Sequence, residues 1–160
     1  MKRILLIGLT LLISIGISSR SDAQKPDFNG KWKLDASKST LPEYTPVLTR
    51  ITVAVRGDSL LTQRFYDTGD GQEYPFTENV TLDGKEYNIT IYDMPRKTKA
   101  SASSEDGSFY IESTTTTGSG DFVSKETWKT DPGNKVLTIS FKNIMEGNEG
   151  SGSFILNKIE

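Results

Sequence analysis

Apolar and polar residues alternate with a period of two along most of the chain beyond residue 47. Ile51, Val53 and Val55 fall on one side of an extended segment, with Thr52, Ala54 and Arg56 on the other. Tyr87, Ile89 and Ile91 alternate with Asn88 and Thr90, and Phe109 and Ile111 with Tyr110 and Glu112. Leu137, Ile139 and Phe141 alternate with Thr138, Ser140 and Lys142. Successive side chains of a strand point to opposite faces, so each of these segments predicts a strand with one buried face. No segment of this region carries apolar residues at i, i+3, i+4 and i+7, and little helix is expected.

Turn residues separate the alternating segments at intervals of roughly a dozen positions, the rhythm of hairpins in a sandwich or barrel. They include Gly57-Asp58, Gly69-Asp70-Gly71, Asp83-Gly84, Asp93-Met94-Pro95, Asp106-Gly107, Gly118-Ser119-Gly120 and Asp131-Pro132-Gly133-Asn134. The segments between them predict about ten strands, near 30–35, 47–56, 59–66, 75–82, 85–92, 97–104, 108–116, 122–130, 135–143 and 152–159. Consecutive hairpins without a long crossover give an all-β, antiparallel up-and-down meander. Closing it into a roughly ten-stranded barrel removes the exposed edges that invite aggregation. A two-sheet sandwich is the alternative architecture. The connection 36–46 contains Pro42 and Pro46, is too short for a pair of helices, and is expected to form an irregular flap.

The N-terminal residues follow a different pattern. Lys2 and Arg3 precede an apolar run from Ile4 to Ile17, shorter than the roughly 20 residues a membrane-spanning helix needs. Small residues then stand at Ser21 and Ala23, as at a signal-peptidase site. Residues 1–23 therefore read as a cleaved export signal and 24–160 as the mature domain, secreted or periplasmic, with no stable membrane insertion after cleavage. The mature part carries 16 Lys or Arg and 20 Asp or Glu, a mildly acidic balance that argues against nucleic acid as a partner. The chain has no Cys, so no disulfide supports the fold.

Candidate chemistry is sparse. Without His or Cys there is no thiol nucleophile, no Ser–His pair and no conventional zinc or copper site. No catalytic residue, metal ligand or cofactor is expected. Asp67-Thr68-Gly69 matches the triplet of aspartic proteases, whose chemistry needs two such carboxylates sharing a proton, and it occurs once. The stretch Asp67 to Glu73 offers oxygens for Ca²⁺ without the ligand spacing of a calcium loop. Both patterns are also those of a solvated hairpin turn.

The stretch Phe28-Asn29-Gly30-Lys31-Trp32-Lys33-Leu34 suits the first strand of a closed barrel, with Gly30 allowing a tight bend and Trp32 plugging one end. It resembles the opening motif of the calycins, the lipocalin and fatty-acid-binding barrels. Leu82-Asp83-Gly84-Lys85-Glu86-Tyr87, Lys125-Glu126-Thr127-Trp128, Val136-Leu137-Thr138-Ile139 and Ser153-Phe154-Ile155-Leu156-Asn157-Lys158 resemble later elements of the fatty-acid-binding branch, in the same order. The resemblance spans the mature chain and is closest to bacterial secreted lipocalin-like proteins. It implies a barrel that binds a small, largely apolar molecule in its interior. The sequence departs from that branch in two places. Segment 36–46 cannot hold the usual helix-turn-helix lid, and Phe154 and Leu156 stand where an Arg and a Tyr usually hold a ligand carboxylate.

The residues expected to line the interior are Phe65, Tyr87, Ile89, Phe109, Ile111, Glu126, Trp128 and Phe141, with Gly30 and Trp32 in structural roles. These rings either line a cavity or only fill the core. If Phe122 and Trp128 point inward, so does Glu126, which then anchors a ligand hydroxyl or amine or pairs with a cation such as Arg64. A local bulge would instead expose it. A non-catalytic module with a filled barrel, acting through its loops, is the alternative function.

Overall fold

The computed structural model describes residues 26–43 and 46–159. The export signal expected over residues 1–23 lies outside them. Ten strands follow one another: β1 (Gly30–Leu34), β2 (Val47–Arg56), β3 (Ser59–Asp67), β4 (Glu73–Thr81), β5 (Asp83–Ile91), β6 (Met94–Ala102), β7 (Phe109–Thr117), β8 (Gly120–Thr130), β9 (Val136–Met145) and β10 (Asn148–Lys158). No helix occurs among the described residues.

All ten belong to one antiparallel sheet, hydrogen-bonded in the order β4-β3-β2-β1-β10-β9-β8-β7-β6-β5. Every neighbour except the β1–β10 pair is consecutive in sequence, which makes this a meander. The β1–β10 pair, with Trp32 opposite Lys158 and Leu34 opposite Leu156, joins its two ends. A single seam stays unsealed, between β4 and β5. Only Leu82 separates these strands in the chain: Asp83 and Gly84, expected as a turn, belong to β5, where Gly84 takes φ 75° at a register shift against β6, and the β4–β5 hairpin ladder does not form. Side chains bridge the seam instead. Arg96 and Thr98 of β6 donate to Glu78 of β4, and the Tyr92 hydroxyl donates to the Pro75 carbonyl. Pro75 suits β4 because that strand has a ladder only with β3, and a residue without an N–H is tolerated facing the open side.

The turn between β5 and β6 falls one residue earlier than the sequence pattern suggests. Tyr92 and Asp93 form it, both with positive φ (46° and 62°), as a two-residue hairpin turn requires. Pro95 consequently lies inside β6, one residue ahead of the β6–β7 ladder, which begins at Arg96 opposite Thr115.

The barrel has two unlike ends. At one, Phe28, Trp32, Leu60, Phe109, Trp128, Leu137 and Leu156 are buried together and leave no bore. Trp32 is fully buried, and its indole N–H donates to the Phe28 carbonyl at 2.9 Å. The Phe28 ring stacks on Phe109 with centroids 4.0 Å apart. Gly30 takes φ 128°, a conformation that side chains disfavour, as the chain turns from this plug into β1.

The other end carries the segment that connects β1 to β2. After a turn at residues 36–38 it runs along β10, where Thr40 and Ser153 exchange two backbone hydrogen bonds of 2.9 Å. Gly152 makes this possible. A Cβ there would lie 2.3 Å from the Thr40 carbonyl oxygen and 2.8 Å from the Phe141 ring.

Candidate functional site

Above the plug, the inward positions change from apolar to charged. Strict alternation along β3 turns Leu60, Thr62 and Arg64 inward, and along β4 it does the same for Glu78 and Val80. On β6 Arg96, Thr98 and Ala100 share the inner face, as do Ser124, Glu126 and Trp128 on β8. Four charged side chains therefore meet inside the barrel. They form two ion pairs, Arg64–Glu126 at 2.6 Å and Arg96–Glu78 at 3.0 Å.

Arg64 is the most deeply buried of the cations, with 2% of its side chain exposed. Its Nη1 donates to Glu126 Oε1 and, at 3.2 Å, to the Tyr66 hydroxyl. The second oxygen of Glu126 accepts the Trp128 indole N–H at 2.7 Å. Burial works against a charged Glu126, yet the Arg64 guanidinium and the indole donor together hold its carboxyl below the usual range. Burial likewise works against the Arg64 charge, and the Glu126 carboxylate more than offsets it. Burial pushes the Tyr66 phenol up, which keeps it neutral.

The cluster is incompletely satisfied. Arg64 Nε and Nη2 are sealed from solvent and have no hydrogen-bond partner among the described residues, and neither has Asn143 Oδ1 higher on the wall. An unmet buried donor costs about 1–3 kcal/mol and more when charged. Arg96 is better placed, with Nε on Glu78 and Nη1 on the Thr115 hydroxyl at 2.9 Å.

A cavity of about 550 Å³ rests on this charged floor. Its wall is aromatic and apolar, from Phe76, Met94, Phe122, Phe141 and Phe154, with Phe141 and Phe154 stacked at 4.7 Å. Tyr74 and Tyr92 stand at the mouth, and Tyr92 is 64% exposed. A larger depression, about 1230 Å³, lies outside the plug among the loops of the opposite end. Most of the carboxylates around it are engaged locally. Asp106 accepts from Ser108 and Lys129, Asp131 from the Lys135 and Val136 amides, and Asp27 from Asn29. Apart from the Lys129 ion pair these are turn-closing contacts, and the interior cavity is the better candidate.

Of the residues expected to line the interior, Glu126 and Phe141 lie in the cavity wall. Glu126 points inward and takes the pairing with Arg64. Phe109, Ile111 and Trp128 are buried, Phe109 in the plug and Trp128 as a donor beneath Glu126. Tyr87 and Ile89 belong to β5, where the sheet ends. Tyr87 is more than a third exposed and donates to Asp83, while Ile89 is half-buried. Phe65 is on the outer face, because the alternation that turns Arg64 inward turns its neighbour outward. The Arg50 guanidinium covers its ring at 3.3 Å. Gly30 and Trp32 occupy the bend and the plug.

The sequence pattern also carries Glu78 and Arg96 at inward positions. Each shares a strand face with apolar neighbours, Val80 and Ala100, and a charge at an inward position is the signal that finds it. In the β3–β4 turn, Asp67 Oδ1 accepts from the Gly69 and Gly71 amides, and Asp70 accepts from Gln72 and the Tyr74 hydroxyl. Its oxygens are turned onto the loop itself. Among the described residues no three acidic side chains converge as a metal site would require.

Compared with known proteins, the chain matches no family model, and no curated protein is significantly similar to it.

Proposed function

We propose that this chain is an exported, lipocalin-like carrier that holds a small, largely apolar molecule in the barrel interior, non-covalently and without a cofactor. The observation that carries this reading is the 550 Å³ cavity on its charged floor, a size typical of small-molecule sites. Apolar walls supply most of the affinity in such sites, and a few fixed polar groups set the orientation. A meander closed by its first and last strands, with a Gly-x-Trp first strand packed into one end, is compatible with a calycin-like barrel. The apolar run Ile4–Ile17 supports export.

The alternative, a filled module acting through its loops, is favoured by the solid packing of Phe28, Phe109 and Trp128. That packing accounts only for the plugged half. Native mass spectrometry of protein purified gently from an exporting host separates the two readings. A carrier is expected to show a discrete adduct that is lost on denaturation. A clean apo mass, together with no uptake of an environment-sensitive lipid probe, would overturn the carrier reading.

A further inference from the structure

Resting on the carrier reading, the charge balance of the cavity floor narrows the class of ligand. Two guanidiniums, Arg64 and Arg96, face two carboxylates, Glu126 and Glu78, and the two ion pairs already use both anions. Among the described residues Arg64, Arg96 and Glu126 are the charged groups that line this cavity, and Glu78 is buried behind the lining against Arg96. The floor is thus formally neutral. What it lacks is an acceptor, because Arg64 Nε and Nη2 have no partner among the described residues.

These two nitrogens carry parallel N–H bonds along one edge of the guanidinium, while Nη1 is held by Glu126 and Tyr66. They are closed off even from water, and for a partner to reach them the guanidinium must turn toward the cavity it lines. A carboxylate could occupy such an edge, but it would bring a third negative charge to a balanced floor inside a low-dielectric barrel. A buried charge without its own counter-charge is strongly disfavoured. A neutral oxygen supplies the missing acceptor without that penalty.

We infer that the cavity selects an apolar molecule bearing a neutral oxygen acceptor, of the carbonyl class, and discriminates against the corresponding carboxylate. The polar oxygen goes to the floor beside Arg64, and the apolar body lies along Phe76, Phe122 and Phe154 toward the tyrosines at the mouth. Phe154 contributes apolar surface to this wall, so the body meets no second cation there.

Methyl undecyl ketone and laurate test this directly, since they share one heavy-atom skeleton and a methyl group replaces one carboxylate oxygen. Each competes at neutral pH against an environment-sensitive lipid probe, on the wild-type protein and on Glu126→Gln. On the wild type the ketone is expected to displace the probe at a concentration about tenfold below that of laurate. Glu126→Gln leaves the floor with one excess positive charge, and the preference is expected to shift toward laurate by about tenfold or more. Circular dichroism checks that the variant folds, and Glu78→Gln, which removes the other anion, replaces it if it does not.

Three outcomes would overturn the inference while leaving the carrier reading intact. They are equal or tighter binding of laurate by the wild type, an unchanged ratio in the folded variant, and probe binding that neither molecule competes. Failure of the probe itself to bind, with no co-purifying mass, would overturn the carrier reading first.

Discussion

The Arg64–Glu126 pair allows the cost of each partner to be separated. In Glu126→Leu the Arg64 charge remains buried with only Glu78 nearby, a carboxylate already paired with Arg96, and the Trp128 indole N–H loses its acceptor. Breaking a buried pair from one side costs about 3–5 kcal/mol, a large share of the roughly 5–15 kcal/mol that holds a domain of this size together. Arg64→Met leaves Glu126 buried with only the indole donor and costs a comparable amount. The double variant Arg64→Met/Glu126→Leu removes both charges and the unmet Arg64 donors, and it takes a partner from the Trp128 N–H and from the Tyr66 hydroxyl. Its stability is therefore expected within about 1–2 kcal/mol of the wild type, far above the sum of the single effects. Urea unfolding of all four proteins, read by tryptophan fluorescence, gives the cycle. Probe binding on the folded double variant gives the second readout: the ketone is expected to bind more weakly without the Arg64 donors, while laurate stays disfavoured because the remaining Arg96–Glu78 floor is still neutral. If the double variant falls as far as the two singles added together, the pair is a net stabiliser and the reasoning fails.

Two further outcomes follow from local geometry. The Ser37 hydroxyl and the Lys38 ammonium hold the Asp35 carboxyl at about 2, and Glu126 and Asp106 also sit below their ordinary range. In the window from the unfolded carboxylate value near ~4 down to about 2, the unfolded chain binds more protons than the folded one. Stability is then flat at neutral pH and falls as the pH drops through that window, and a urea midpoint unchanged down to about pH 2 would contradict this. Gly152→Ala places a Cβ 2.3 Å from a backbone oxygen, which cannot swing aside as a side chain would. It is expected to cost about 1–3 kcal/mol and to speed amide exchange at Thr40 and Ser153, whereas an unchanged midpoint would mean that the connection is not held against β10.

Much of this architecture was legible in the sequence because a strand writes itself locally. The alternation of Ile51, Val53 and Val55 follows from the two-residue repeat of the backbone alone, and so does the inward direction of Glu126 once Trp128 points inward. The same rule, applied to Arg64, turns Phe65 outward, yet aromatic character alone suggests it for the interior. Parity is the stronger signal of the two. The connection 36–46 was legible as irregular from its prolines, but its pairing with Ser153 was not, since that contact depends on where β1 stops beside β10.

The sequence by itself determined the all-β character, the number of strands, the meander and the place of Trp32 in the plug, since each follows from short-range alternation, turn chemistry and the cost of leaving large rings in water. Only the tertiary structure decided which inward residues stand at the same height. Arg64 and Glu126 are 62 residues apart, and they meet because closure through β1 and β10 fixes the offset of every ladder between them. The tertiary structure likewise placed the seam at β4–β5, where a turn sequence suited to a hairpin joins strands that a closing barrel holds apart. Backbone alternation is a property of neighbours, whereas the charged floor and the cavity above it are properties of the closed ring.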